Sequence, residues 1–262
     1  MKIFEDLKGG FQKILSDSNW LNKILLGGFL LINPFLIILG LPLLDEQPDP
    51  EWMKTAFLAV LGFNVLSFWF PLGFTYEVLR RARTGSTPQL PDWSWGVLPR
   101  FAKEGAVKLV LAVTTLLLPV GLWMGFCWFV FIHLIGLPAG LLGMMYAPAM
   151  LFVIPFCGVA CSRWLDGASV LDCAFNYPAN FAVFARRWQE FLLASLFLVG
   201  LNTVTCSMIY TIPFAAVFGL CLVDTWFGPI YADAAASGKA AAPSAAHQPS
   251  LPMDQQPGAG QK

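Results

Sequence analysis

Long apolar runs, each able to cross a bilayer, flank a polar interruption from Phe74 to Lys108, FTYEVLRRARTGSTPQLPDWSWGVLPRFAKEGAVK. That segment sets Arg80, Arg81, Arg83, Arg100, Lys103 and Lys108 against Glu77, Asp92 and Glu104. Short loops rich in Lys and Arg stay on the cytoplasmic side, so its charge orients every other segment. Apolar residues make up 57% of the chain and charged ones 12%. The charged share is about half that of a soluble domain, so the chain needs lipid as its solvent. Its 262 residues suffice for about six spans of about 20 residues each. The fold expected is all-α, a polytopic integral membrane protein.

In chain order, residues 1–22 place Ile3, Phe4, Leu7, Phe11, Ile14 and Leu15 at helical steps between charged residues. This predicts an interfacial amphipathic helix on the inner leaflet, preferred over a helix packed on the cytoplasmic loops. Spans are expected near 24–44, 53–74, 106–131, 137–160, 191–210 and 213–231. Asn33-Pro34 should kink the first, because proline removes a backbone donor and restricts the residue before it. The acidic stretch at Asp45, Glu46, Asp49 and Glu51 suits an outer loop, and the outer turn between the third and fourth spans falls near His133 to Pro138. Cytoplasmic loops are expected at 75–105 and 163–190, the second carrying Arg163, Arg186 and Arg187, and both termini inside. Residues 1–233 form the membrane domain, and the Ala-, Pro-, Gly- and Gln-rich residues 234–262 should be a disordered tail.

The layout reads as three hairpins with a weak threefold pattern. Even spans end alike, in YEVLRRARTGS from Tyr76, ACSRWLDGAS from Ala160 and YADAAASGK from Tyr231. Both a triplication and plain hydrophobic periodicity with a positive-inside bias produce such a pattern.

Chemistry-bearing residues are few. Asp224 is an acid inside a span, and an intramembrane ionisable group is a functional hypothesis by default. With Asn33, Asn64 and Asn202 it makes a possible intramembrane polar site, although asparagines also serve interhelical packing. Glu77 with Arg81 and Glu104 with Lys108 stand at helical spacing for pairing. Arg80, Arg81, Arg83, Trp93, Trp95, Arg100 and Lys103 are the candidate contacts to a partner or to anionic lipid headgroups. Pro88 and Pro91 should hold the loop extended, Asp92 should cap a short helix, and Trp93 and Trp95 should anchor that helix at the headgroups. The cysteines at 127, 157, 161, 173, 206 and 221 form no CxxC and read as small buried side chains. With His133 the sole histidine outside the tail, no metal or other cofactor is expected. No P-loop, HExxH or GxSxG occurs, so the chain is not read as an enzyme. A net charge of zero argues against nucleic acid as a partner.

Three blocks carry a resemblance: SDSNWLNKILLGG from Ser16, GFTYEVLRRARTGSTPQLPDWSWG with the FAKEGAVK that follows, and ACSRWLDGASVLDCAF from Ala160. They resemble a family of polytopic membrane proteins of bacteria and archaea, the domain of unknown function 4013. The likeness spans most of residues 1–235 and departs at Ser94-Trp95, where the family tends to place another acidic residue. It implies a helical integral membrane fold and brings no activity or ligand. The function expected is a scaffold or accessory subunit with its distinctive surface on the cytoplasmic face. Its partners would be membrane lipids and a membrane or cytoplasmic protein. The alternative is a transporter or lipid-handling protein with a polar site at mid-membrane.

Overall fold

The computed structural model describes residues 2–32, 49–205 and 211–241, and the regular structure among them is entirely helical. Four helical stretches are long and apolar enough to cross a membrane, Pro50–Thr84, Leu98–Leu134, Ala139–Leu165 and Ile212–Ser237. This makes the chain a helical membrane protein. Trp20–Leu30 and Trp188–Leu201 are shorter apolar helices. The Asn33-Pro34 kink, most of the acidic stretch, the rest of the first expected span and the end of the fifth lie outside the described residues.

The helices are α1 (Lys2–Leu15), α2 (Trp20–Leu30), α3 (Pro50–Ser67) and α4 (Trp69–Thr84). Next comes α5, Leu98–Leu134, an α-helix interrupted by wider π turns at Val113–Leu117 and Trp128–Leu134. Then follow α6 (Leu142–Leu165), α7 (Val170–Phe175), α8 (Tyr177–Arg186), α9 (Trp188–Thr205) and α10 (Ile212–Ala241). Local chemistry sets several ends. The Asp49 carboxylate accepts the Glu51 N–H ahead of Pro50, which needs no donor in the first turn. Gly85 and Gly167 take left-handed φ of 67° and 91°, the conformation that closes a helix and that glycine adopts without strain.

α10 runs through the middle of the bundle. In its most apolar stretch 67% of residues are buried, against 22%, 22% and 29% in the other three candidate spans, whose remaining faces are left to lipid. Val217, Cys221, Leu222, Val223, Trp226 and Phe227 supply this central core. The closest crossing is between α4 and α5. A Cβ on Gly73 would collide with the Phe101 carbonyl, and one on Gly105 with the Trp69 carbonyl, so each backbone lies against the other as small residues permit in membranes.

Four expectations are corrected. The segment expected as a cytoplasmic loop at 75–105 is helical at both ends, and the connection shrinks to residues 85–97. Tyr76, Val78 and Leu79 within it are fully buried, because α4 continues as a packed helix past the apolar run. The segment at 163–190 folds into the end of α6, then α7, α8 and the start of α9. The apolar face of α1 packs on α10 instead of on lipid. Leu7 and Ile14 are buried, the Trp226 Nε1 donates to the Leu7 carbonyl at 3.0 Å, and Phe11 meets Phe218 edge-on at 5.6 Å. Finally, α10 extends to Ala241, so the tail expected to be disordered from residue 234 begins as helix, with Ala234 buried.

Candidate functional site at the charged end of the bundle

Most ionisable side chains of α4 and α5 meet at one end of the bundle and bond one another. Arg80 and Arg100 both bridge the carboxylates of Glu77 and Glu104. The Arg80–Glu104 and Arg100–Glu104 contacts measure 2.6 and 3.0 Å, and Arg81 reaches Glu77 at 3.4 Å. Glu104 therefore pairs with arginines and not with Lys108. Its Oε2 is buried with no hydrogen-bond partner among the described residues.

Arg83 ties three helices together. It donates to Asp166 at 2.5 Å and to the Ser162 carbonyl at 3.0 Å, and its guanidinium lies over the Tyr231 ring at 5.0 Å. The Tyr231 hydroxyl closes the triad by donating to Asp166 at 2.7 Å. These residues belong to YEVLRRARTGS, ACSRWLDGAS and YADAAASGK, so segments alike in sequence also meet in space. Arg163 pairs with Asp172 and donates to the Asn180 side chain at 2.7 Å.

The connection between α4 and α5 is clamped by backbone acceptors. Gln89 donates to the Val78 carbonyl at 3.0 Å, and Arg81 to the carbonyls of Pro88 and Leu90 at 2.9 and 3.1 Å. Lys23 binds Asp17 and Asp92, each at 2.7 Å, and donates to the Leu90 carbonyl at 3.3 Å. Burial works against the Asp17 carboxylate. Hydrogen bonds from Lys23 and the Asn19 N–H, with the charges of Lys23 and Arg81, outweigh it and hold that carboxyl below its ordinary value. Burial likewise works against the Lys23 ammonium, yet Asp17 and Asp92 hold its pKa above the ordinary lysine value.

This clamp changes the reading of the tryptophans. Asp92 does not cap a helix, since α5 starts at Leu98 without a side-chain cap and the carboxylate is taken by Lys23. The Trp93 ring stacks on Phe74 at 4.6 Å, and its Nε1 donates to the Lys23 carbonyl at 3.0 Å. Trp93 thus belongs to the core, whereas Trp95 stands 89% exposed beyond it. Lys103 is exposed as well. The two tryptophans are not a matched pair of anchors.

The expected intramembrane polar group does not assemble. Asn64 donates to the Ile32 carbonyl at 3.1 Å beside Ser67, which donates to the Leu30 carbonyl at 2.7 Å, so both finish α2. Asn33 lies outside the described residues, and Asn202 stands in α9 with its side chain likewise outside them. Asp224 pairs with Lys108 of α5, and Lys108 also donates to Thr75 Oγ1 of α4 at 2.8 Å. The side chains of Lys108 and Asp224 are only 6% and 5% exposed. This contact joins three helices at the bundle centre, although its two halves stand 116 positions apart in the chain. One signal for it was available, namely two opposite charges each set in an apolar run. A cavity of about 420 Å³ lies between α1 and α10, lined by Glu5, Asp6, Lys13, Trp226 and Asp233 among others. No family model, no curated protein and no solved structure matches the chain.

Proposed function

We propose that this chain is a multi-pass protein of the cell (inner) membrane, with six spans and both termini cytoplasmic, that serves as a non-enzymatic scaffold or accessory subunit. The observation that carries the scaffold reading is Trp95, a large aromatic held 89% exposed on a connection fixed by Trp93, Gln89, Arg81 and Lys23. Exposed aromatics on rigid supports concentrate binding energy at interfaces. Arg80, Arg81, Arg83 and Arg100 act as the support, because their charges are answered within the chain. Trp95 and Lys103 then remain for a membrane or cytoplasmic partner protein.

A photo-crosslinking residue at Trp95 should capture one protein partner in cells, and Trp95→Ala should release it while membrane insertion is unchanged. A second reading, an ion-coupled transporter, draws on the buried Lys108–Asp224 pair, since ionisable groups inside membranes are costly to keep. Substrate-dependent flux in vesicles that Asp224→Asn abolishes, together with an unchanged partner set in Trp95→Ala, would replace the scaffold by that reading.

A further inference from the structure

α7 and α8, joined through Asn176 alone, form a helical hairpin whose two ends are bonded at the charged end of the bundle. The start follows Asp166, which Arg83 and Tyr231 hold, and the finish is Arg186, which donates to the Ala234 carbonyl at 3.3 Å. Asn180 ties the two helices together by donating to the Cys173 carbonyl at 2.9 Å. The tip, Asn176-Tyr177-Pro178, lies elsewhere. There the Tyr177 hydroxyl donates to the Thr114 carbonyl at 2.7 Å. Thr114 is about 24 Å along α5 from Leu98 at about 1.5 Å per residue.

The acceptor has a specific origin. Leu118 N–H is drawn to the Val113 carbonyl by the π turn, and Pro119, the next residue, has no N–H to give. The Thr114 carbonyl is thereby left without a helical donor one turn on, and Tyr177 supplies one. On one side the hairpin is packed. Cys173, Ala174, Asn180 and Phe184 are buried, and Phe184 meets Phe156 of α6 at 5.4 Å. On the other side Leu171, Phe175 and Phe181 stand 72%, 59% and 55% exposed.

We infer that Ser169 to Arg187 is a re-entrant hairpin that enters the bilayer from the charged side, and that acyl chains of that leaflet cover Leu171, Phe175 and Phe181. This rests on the membrane reading above. The occupant is lipid because the face is continuous with helices that lipid already surrounds. The hairpin is seated on α5 and α6, which carry exposed Leu122 and Phe152. Helices of six and ten residues are too short to span alone, and side chains take up orphan backbone groups at their ends, Ser169 the Asp172 N–H, Asn176 the Ala179 N–H and Asn180 the Cys173 carbonyl.

The test places p-benzoyl-phenylalanine singly at Phe175, Phe181, Leu122 and Lys103 of the full chain, in vesicles of phosphatidylethanolamine and phosphatidylglycerol. Irradiation should give a phospholipid adduct at Phe175, Phe181 and the mid-span control Leu122, with at least tenfold less at Lys103. Adducts at Leu122 without any at Phe175 and Phe181, or a crosslinked dimer at those two positions, would overturn the hairpin assignment alone. Loss of the lipid adduct at Leu122 would overturn the membrane reading and the hairpin with it. Independently, Tyr177→Phe should speed amide exchange at Ala179 to Val183 several-fold while leaving α5 protected, and unchanged exchange would remove the docking role of the hydroxyl.

Discussion

Replacing Asp224 with Ala would leave the Lys108 ammonium buried with the Thr75 hydroxyl as its hydrogen-bond partner among the described residues. Both side chains are only 5–6% exposed, so solvent cannot screen the loss. Removing one member of such a pair costs about 3–5 kcal/mol, mainly through the uncompensated charge. Asp224→Asn keeps an acceptor oxygen but leaves the same ammonium without a counter-charge, so its cost should fall only to the lower end of that range, about 3 kcal/mol. The double replacement Lys108→Met with Asp224→Leu removes both charges at similar volume. It should return stability to within about 1 kcal/mol of the native chain, or exceed it by about 1–4 kcal/mol. Reversible unfolding by SDS titration in mixed micelles, followed by tryptophan fluorescence, measures all four proteins. A double variant as unstable as Asp224→Ala, or an Asp224→Ala loss under about 1 kcal/mol, would refute the claim that the pair joins α4, α5 and α10.

The Lys23 clamp should respond to pH at both extremes. Asp17 is held below its ordinary value of 3.8, so its contribution is complete above that pH and disappears as pH falls through the lowered value. Lys23 is held above its ordinary value of 10.5, so its contribution is complete below that pH and disappears as pH rises through the raised value. Amide exchange around residues 90–93 should report both losses, and Asp17→Asn should abolish the acid one. Gly73→Ala and Gly105→Ala should each destabilise by about 1–3 kcal/mol or more, because the added methyl meets a carbonyl of the facing helix. Gly62→Ala, with open space around it, should instead stabilise by about 0.5–1 kcal/mol. The same SDS titration distinguishes them.

Helical class and membrane solvent were legible because apolar runs of bilayer length leave few alternatives. The internal arrangement of charge was not. Glu77, Arg80 and Arg81 look like a water-facing stripe in one dimension, and only the neighbouring α5 shows that Arg100 and Glu104 answer them. Asp92 follows a proline and has the sequence of a cap, yet its partner Lys23 lies about seventy positions away, beyond any local pattern. Composition misled at the tail. Low hydrophobicity suggested disorder, but alanine is the strongest helix former, and Ala232 to Ala241 continues a helix already nucleated by its packed stem. The helices α7 and α8 were hidden because arginines on either side of a polar stretch suggested an unstructured connection. Its one internal clue was Pro119, which frees the carbonyl that Tyr177 binds.

The most direct test of the proposed membrane threading is the sidedness of two introduced cysteines. In intact spheroplasts a membrane-impermeant maleimide should label Gln47→Cys, while Thr87→Cys, an exposed position between α4 and α5, should react only after permeabilisation. Labelling of Thr87→Cys in intact spheroplasts with Gln47→Cys protected would invert the orientation, and labelling of both from one side would contradict the span count.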